Sequence, residues 1–149
     1  MVNFNLASMD RRRFLITGIA MAATPAALAQ NETGAEPPEA FRAFVDTLLP
    51  ADEFGPAASA LGLVGPTWVG LSTFASDQRF LQDACRWLDS QAGGRFADMP
   101  PDSRHELIRW MEQRSTGEPP RLFYTRVRNR AVMLYYRHAE SQARLGIPH

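Results

Sequence analysis

The chain predicts an all-α fold, a compact orthogonal or irregular bundle of four main helices plus one or two short ones. Three observations point there. Apolar residues recur at the three- and four-residue spacing of a single helix face in four separate stretches. No stretch alternates apolar with polar residues under β-branched enrichment, so strands are not expected. Pro and Gly clusters leave connections of about 2–8 residues, the usual length between packed helices.

Ahead of the first helix stands a segment of another kind. Asp10-Arg11-Arg12-Arg13-Phe14-Leu15 leads into 15 uncharged residues, Phe14 to Leu28, closing at Ala27-Leu28-Ala29. A charged start, a short apolar run and a small-x-small end read as a secretory signal. The run is shorter than a helix needs to cross the hydrocarbon. Arg11 and Arg12 followed by Phe14 and Leu15 form a twin-arginine (Tat) motif, which bacteria use for cargo exported already folded. Asp10 stands where Ser or Thr is usual; an ordinary secretory signal and a retained anchor are the alternatives. Residues 1–29 are therefore assigned to a signal peptide, 30–38 to a flexible leader and 39–149 to a helical domain in the periplasm.

Pro37 and Pro38 suit a helix start, where a missing N–H costs nothing. Phe41, Phe44, Val45, Leu48 and Leu49 then follow at helical spacing until Pro50. Ala51 to Pro56 is a turn. Ala57 to Leu63 is expected as a short helical piece closed by Gly65-Pro66, and Trp68 to Phe74 as another, buried. A long helix is predicted from Ser76 to Gln91, with Phe80, Leu81, Ala84, Cys85 and Leu88 inward and Gly93-Gly94 as its stop. Phe96, Ala97 and Met99 link it to a helix starting at Pro101, with Leu107, Ile108 and Met111 on one stripe and Trp110 on the flank. After Thr116-Gly117-Glu118-Pro119-Pro120, one helix is expected from Arg121 to about Arg144. Its inward stripe is Phe123, Val127, Ala131, Leu134, Tyr135 and His138.

Beyond residue 29 the chain holds 13 of its 16 arginines and 15 of its 16 acids, a net charge of −2 that argues against nucleic acid as a partner. The distribution says more. Residues 36–118 carry 7 Arg and 13 acids, whereas residues 119–149 carry 6 Arg and only Glu140. An acidic body followed by a basic helix suggests internal pairing or an acidic partner.

Chemistry-bearing motifs are scarce. There is no G-x-G-x-x-G and no C-x-x-C, and the single Cys85 excludes a disulfide within one chain. Cys85 reads as a small buried hydrophobe, with a reactive thiol or a metal ligand as the alternatives. His105, His138 and His149 match no zinc spacing. No histidine lies near the serines between Ser72 and Ser76, so no nucleophile–base pair is expected there. Catalytic, cofactor-binding and metal-binding residues are accordingly expected to be none.

Candidate binding residues fall in two places. Asp52 and Glu53, with Asp46 upstream, either cap exposed N–H groups, pair with an arginine of the last helix, or meet a partner. In the last helix Tyr124, Arg126, Arg130, Tyr135, Tyr136 and Arg137 combine the residue types enriched at protein interfaces. The same arginines could instead satisfy the acidic body.

The segment Phe41-Arg42-Ala43-Phe44-Val45-Asp46-Thr47-Leu48-Leu49-Pro50-Ala51-Asp52-Glu53, followed by Gly55-Pro56-Ala57-Ala58, resembles the opening of the gluconate 2-dehydrogenase subunit 3 family. Gly94 to Met99 is similar to that family's link into its next helix. Phe123 to Arg128 and Leu134-Tyr135-Tyr136 look like its final helix. The resemblance spans about residues 39–147 and rests on short motifs. It implies a non-catalytic small subunit of a periplasmic dehydrogenase acting on a sugar, sugar acid or related alcohol. The implied partners are a large FAD-containing subunit and, in some complexes, a cytochrome c. FAD belongs to the partner, this chain holds no cofactor, and membrane association comes only through the complex. A free-standing periplasmic helical binding module and a small periplasmic enzyme are the competing expectations.

Overall fold

The computed structural model describes residues 36–144 and Gly146, which fall within one unit, Gly34–His149. The twin-arginine segment with Arg11, Arg12, Phe14 and Leu15, the leader up to residue 35, and His149 lie outside the described residues. The described elements are helices: α1 (Glu39–Leu48), α2 (Val64–Leu71), α3 (Ala75–Ala92), a 3₁₀ turn (Phe96–Asp98), α4 (Pro101–Glu112), α5 (Pro119–Arg137) and α6 (Ala139–Arg144). The fold is all-α, with no sheet among these residues.

α1 begins after Pro38, carries Glu39 in its first turn where the helix dipole favours an acid, and stops before Pro50. Its apolar residues are not confined to one narrow stripe. Ala40, Phe41, Ala43, Phe44 and Val45 are all buried, and α1 packs against α2, α3, the 3₁₀ turn, α4 and α5. The one buried polar side chain on it, Thr47, donates its hydroxyl to the Ala43 carbonyl at 2.6 Å. An aromatic cluster radiates from this helix. Phe41 meets Trp68 edge-on at 4.9 Å, and Phe44 lies 4.9 Å from Phe123 and 6.3 Å from Phe96. Such ring pairs add to the energy of burial itself.

The segment after α1 departs from expectation. Residues 57–63 form successive turns, with Ala60 and Leu61 donating to the Ala57 carbonyl and Leu63 reaching back to Ala58 at 3.0 Å. Gly62, at φ +68°, closes the segment in the left-handed region before a helix can nucleate. Gly65-Pro66 does not close anything: both lie in the first turn of α2, where Pro forfeits no hydrogen bond. Only one side of α2 is covered. Trp68 and Thr67 are buried, while Val69 and the following Phe74 are 61 % and 68 % exposed, against the expected burial of this piece.

α3 and α4 follow the predicted pattern. Leu81, Ala84, Cys85 and Leu88 face the core, and Gly93 at φ +67° ends α3 as the Gly94 N–H returns to the Asp89 carbonyl. Asp89 also accepts the Phe96 N–H at 2.8 Å, which fixes the chain reversal and delivers Phe96 into the core. Phe80, expected inward, is half-buried and rests 6.5 Å from Phe123. Leu107, Ile108 and Met111 bury the inner face of α4, and Trp110 stacks on Trp87 at 6.2 Å with the Arg114 guanidinium over its ring.

The single final helix is corrected to two. α5 ends at Arg137, His138 is extended (φ −73°, ψ 130°), and α6 restarts at Ala139. The core stripe Phe123, Val127, Ala131 runs out at Ala131; Leu134, Tyr135 and His138 are only half-buried. Past that point tertiary packing no longer sustains the helix.

Phe44→Ala is expected to cost about 3–5 kcal/mol of stability, because the ring is fully enclosed and its loss leaves a cavity between Phe96 and Phe123. Phe54→Ala, at a ring 63 % exposed, should change stability by under about 0.5 kcal/mol. Urea unfolding of the two variants checks both figures.

Candidate functional site

α5 presents three faces, and only one of them is spent on the core. Phe123, Val127 and Ala131 point inward at four-residue steps. A second face, one residue before Val127 and Ala131, carries Arg126 and Arg130. Arg126 pairs with Asp77 at 3.0 Å and lies over the Phe80 ring, bridging α5 to the first turn of α3. The Arg130 guanidinium packs on Gly70 of α2 so closely that a Cβ at Gly70 would overlap it. Gly70 is therefore the residue that lets a planar cation lie flat on a helix backbone.

The third face carries Arg128, Val132, Tyr135 and Tyr136, the i, i+4, i+7, i+8 spacing of one stripe. Opposite it stands the chain that leaves α1. Between them lies a groove of about 400 Å³, walled by Leu48, Leu49 and Phe54 on one side and by Val132, Tyr135 and Tyr136 on the other. Asp52, Pro50 and Arg128 complete its lining. The Tyr135 and Tyr136 rings stand perpendicular at 6.2 Å, and the Tyr135 hydroxyl occupies the space a Cβ at Gly55 would take. Phe54 and Tyr136 are 63 % and 54 % exposed, so the two walls end in open aromatic rings.

The loop wall is held by its own carboxylates. Asp52 Oδ1 accepts the Phe54 N–H at 2.8 Å and the Gly55 N–H at 3.0 Å, while the Asp52 and Gly55 backbones bond reciprocally. Asp46 Oδ1 reaches from α1 to the Ser59 N–H at 2.8 Å and ties down the far end of the loop. Of the three readings weighed for these acids, satisfaction of exposed N–H groups describes Asp46 and Asp52. Neither forms an ion pair with the last helix among the described residues; Asp77, which was not singled out, does. Glu53 is exposed beside them.

The remaining candidates divide. Tyr124 is only 6 % exposed, and its hydroxyl donates to Glu112 at 2.9 Å, so it joins α5 to α4 and offers little surface to a partner. Burial first, then the Glu112 carboxylate, pushes its phenol above the ordinary range. Tyr135 and Tyr136 line the groove, Arg130 is committed to Gly70, and Arg137 is exposed at the end of α5. Arg128, Arg130 and Arg137 form no ion pair among the described residues, so internal pairing with the acidic body accounts for Arg126 but not for its neighbours. Arg128, Val132, Phe54 and the Leu48-Leu49 pair were missed as site residues. The stripe through Arg128 was legible in its spacing; the opposite wall depends on how the chain folds back after α1.

Cys85 is buried among α3 residues, and burial, with a smaller contribution from Asp89, pushes its thiol up to about 12. Among the described residues no three His, Cys, Asp or Glu side chains converge as a metal-binding group, and no helix is long and apolar enough to cross a membrane. Comparison with family models, with curated proteins and with solved structures finds no match to this chain.

The thiol ionises near 9 in the unfolded chain and near 12 in the folded one, so its contribution to stability is complete below pH 9 and is lost as the pH climbs to 12. The stability difference between the protein and Cys85→Ala should therefore shrink across that window. In the folded protein at pH 8 a thiol reagent should react only at the rate of opening. Denaturant titrations at several pH values and a thiol assay with and without denaturant check this; a fast native reaction would contradict it.

Proposed function

We propose that this chain is the non-catalytic small subunit of an exported FAD-dependent dehydrogenase acting on a sugar, sugar acid or related alcohol. In this reading a twin-arginine leader carries both this chain and its flavoprotein partner into the periplasm. The observation that carries the reading is a conjunction: Arg11-Arg12-Arg13-Phe14-Leu15 stands ahead of a helical domain with the Asp-Thr-Leu-Leu-Pro block at Asp46–Pro50 and the Tyr135-Tyr136 pair. These segments resemble the gluconate 2-dehydrogenase subunit 3 family.

The physical logic is one of order of assembly. A flavoprotein that takes up FAD in the cytoplasm leaves already folded, and a twin-arginine signal serves that route. A partner lacking such a signal travels with a chain that has one. The small subunit then supplies binding surface: exposed Tyr136, Arg128 and Arg137 on one helix are of the residue types that anchor protein interfaces. FAD and the redox step belong to the large subunit, a cytochrome c takes the electrons onward where one is present, and contact with the membrane comes through the complex.

Replacing Arg11 and Arg12 together by Lys should hold this protein and its flavoprotein in the cytoplasm. Fractionation of cells expressing both, with dehydrogenase activity measured in each fraction, provides the check. Undiminished periplasmic activity in the double variant would sink the escort role.

A further inference from the structure

We infer that the groove between the loop after α1 and the third face of α5 is a docking cleft for one short segment of a partner protein. That segment carries a large apolar side chain and, within one helical turn of it, a carboxylate. The source of the segment rests on the subunit reading above; its chemistry rests on the groove alone.

Shape comes first. The cleft of about 400 Å³ has an apolar floor and walls in Leu48, Leu49 and Val132, and it opens between the exposed rings of Phe54 and Tyr136. A concave apolar surface of this size takes a side chain or two rather than a whole domain face. Eight residues separate Arg128 from Tyr136, about 12 Å along the helix axis, which matches roughly two turns of an occupying helix.

Charge then chooses the occupant. Two charged residues line the groove, Asp52 and Arg128. Asp52 turns Oδ1 onto the N–H groups of Phe54 and Gly55 and is engaged in building the wall. Arg128 is exposed and forms no ion pair among the described residues, unlike Arg126 one residue pair earlier, which has Asp77. The wall thus presents one uncommitted cation beside an apolar cavity. A carboxylate next to an apolar anchor satisfies both, and the planar guanidinium accepts it with two parallel hydrogen bonds. A basic segment would bring like charges together at the same place.

The test screens the full chain against a random peptide library displayed on phage. The expected result is enrichment of peptides with a large apolar residue within four positions of Asp or Glu. Binding of a selected peptide should fall about 30-fold or more, the size of an interface hot spot, in Arg128→Glu and in Tyr136→Ala. Exchanging the peptide acid for Lys should restore binding to Arg128→Glu. Both substituted residues are exposed, and Arg109→Glu on exposed α4 surface should leave binding unchanged. Selection of basic or uncharged peptides, no enrichment at all, or equal affinity for Arg128→Glu would overturn the inference. So would a dimer of this chain that Val132→Asp dissociates, since a second copy would then be the occupant. Co-purification of the flavoprotein separates this from the subunit reading. A flavoprotein retained by Arg128→Glu and Tyr136→Ala overturns the cleft assignment alone, whereas a flavoprotein that never associates with the unaltered protein overturns the subunit reading while acidic-peptide binding still supports the cleft.

Discussion

Phe44 touches Phe96 on one side and Phe123 on the other, and through these two rings α1 joins the chain reversal after α3 to the inner face of α5. Phe41 does the same for α2 through Trp68. A ten-residue helix therefore holds the bundle together from within, and its burial nearly all round is the condition for everything else. With α1 in place, the chain leaving it has a single direction to go. Asp46, on α1 itself, then catches the Ser59 N–H and sets the loop against α5. The groove is a by-product of that geometry, one wall leaving the central helix and the other belonging to a helix packed on it.

How much of this was legible depends on whether the deciding signal is local. α3 was expected over 76–91 and runs Ala75–Ala92, because its stop is a left-handed glycine that needs no knowledge of neighbours. α4 starts at Pro101 for an equally local reason. The misses all turn on context. Pro66 looks like a breaker in a linear reading, yet in a first turn it breaks nothing. The division at His138 depends on where the core runs out, and Ala131 gives no hint that it is the last residue with something to bury against. Tyr124 and Tyr136 look alike as aromatic neighbours of arginines, but only Glu112 across the interface decides which of them is turned inward.

The charge asymmetry resolves in a similar way. An acidic body and a basic final helix suggested mutual neutralisation, and the structure supplies it at Arg126–Asp77. An exposed pair of this kind stabilises little. Arg130 lies on glycine backbone instead, and Tyr124 meets Glu112 as a hydrogen-bond donor. The asymmetry has therefore not been consumed in folding, and Arg128 and Arg137 remain as exposed positive groups on the same helix.

The loop wall of the groove has a kinetic consequence. Loops beside binding clefts commonly order themselves only when a ligand arrives, and the lost chain entropy is subtracted from affinity. Here Phe54 is carried by a four-residue turn closed through both backbone and carboxylate hydrogen bonds, with the loop beyond it tied to the central helix. Its backbone is set before any partner approaches. Association then demands side-chain rotation rather than a folding step, the regime in which encounter is not slowed by waiting for a rare conformation.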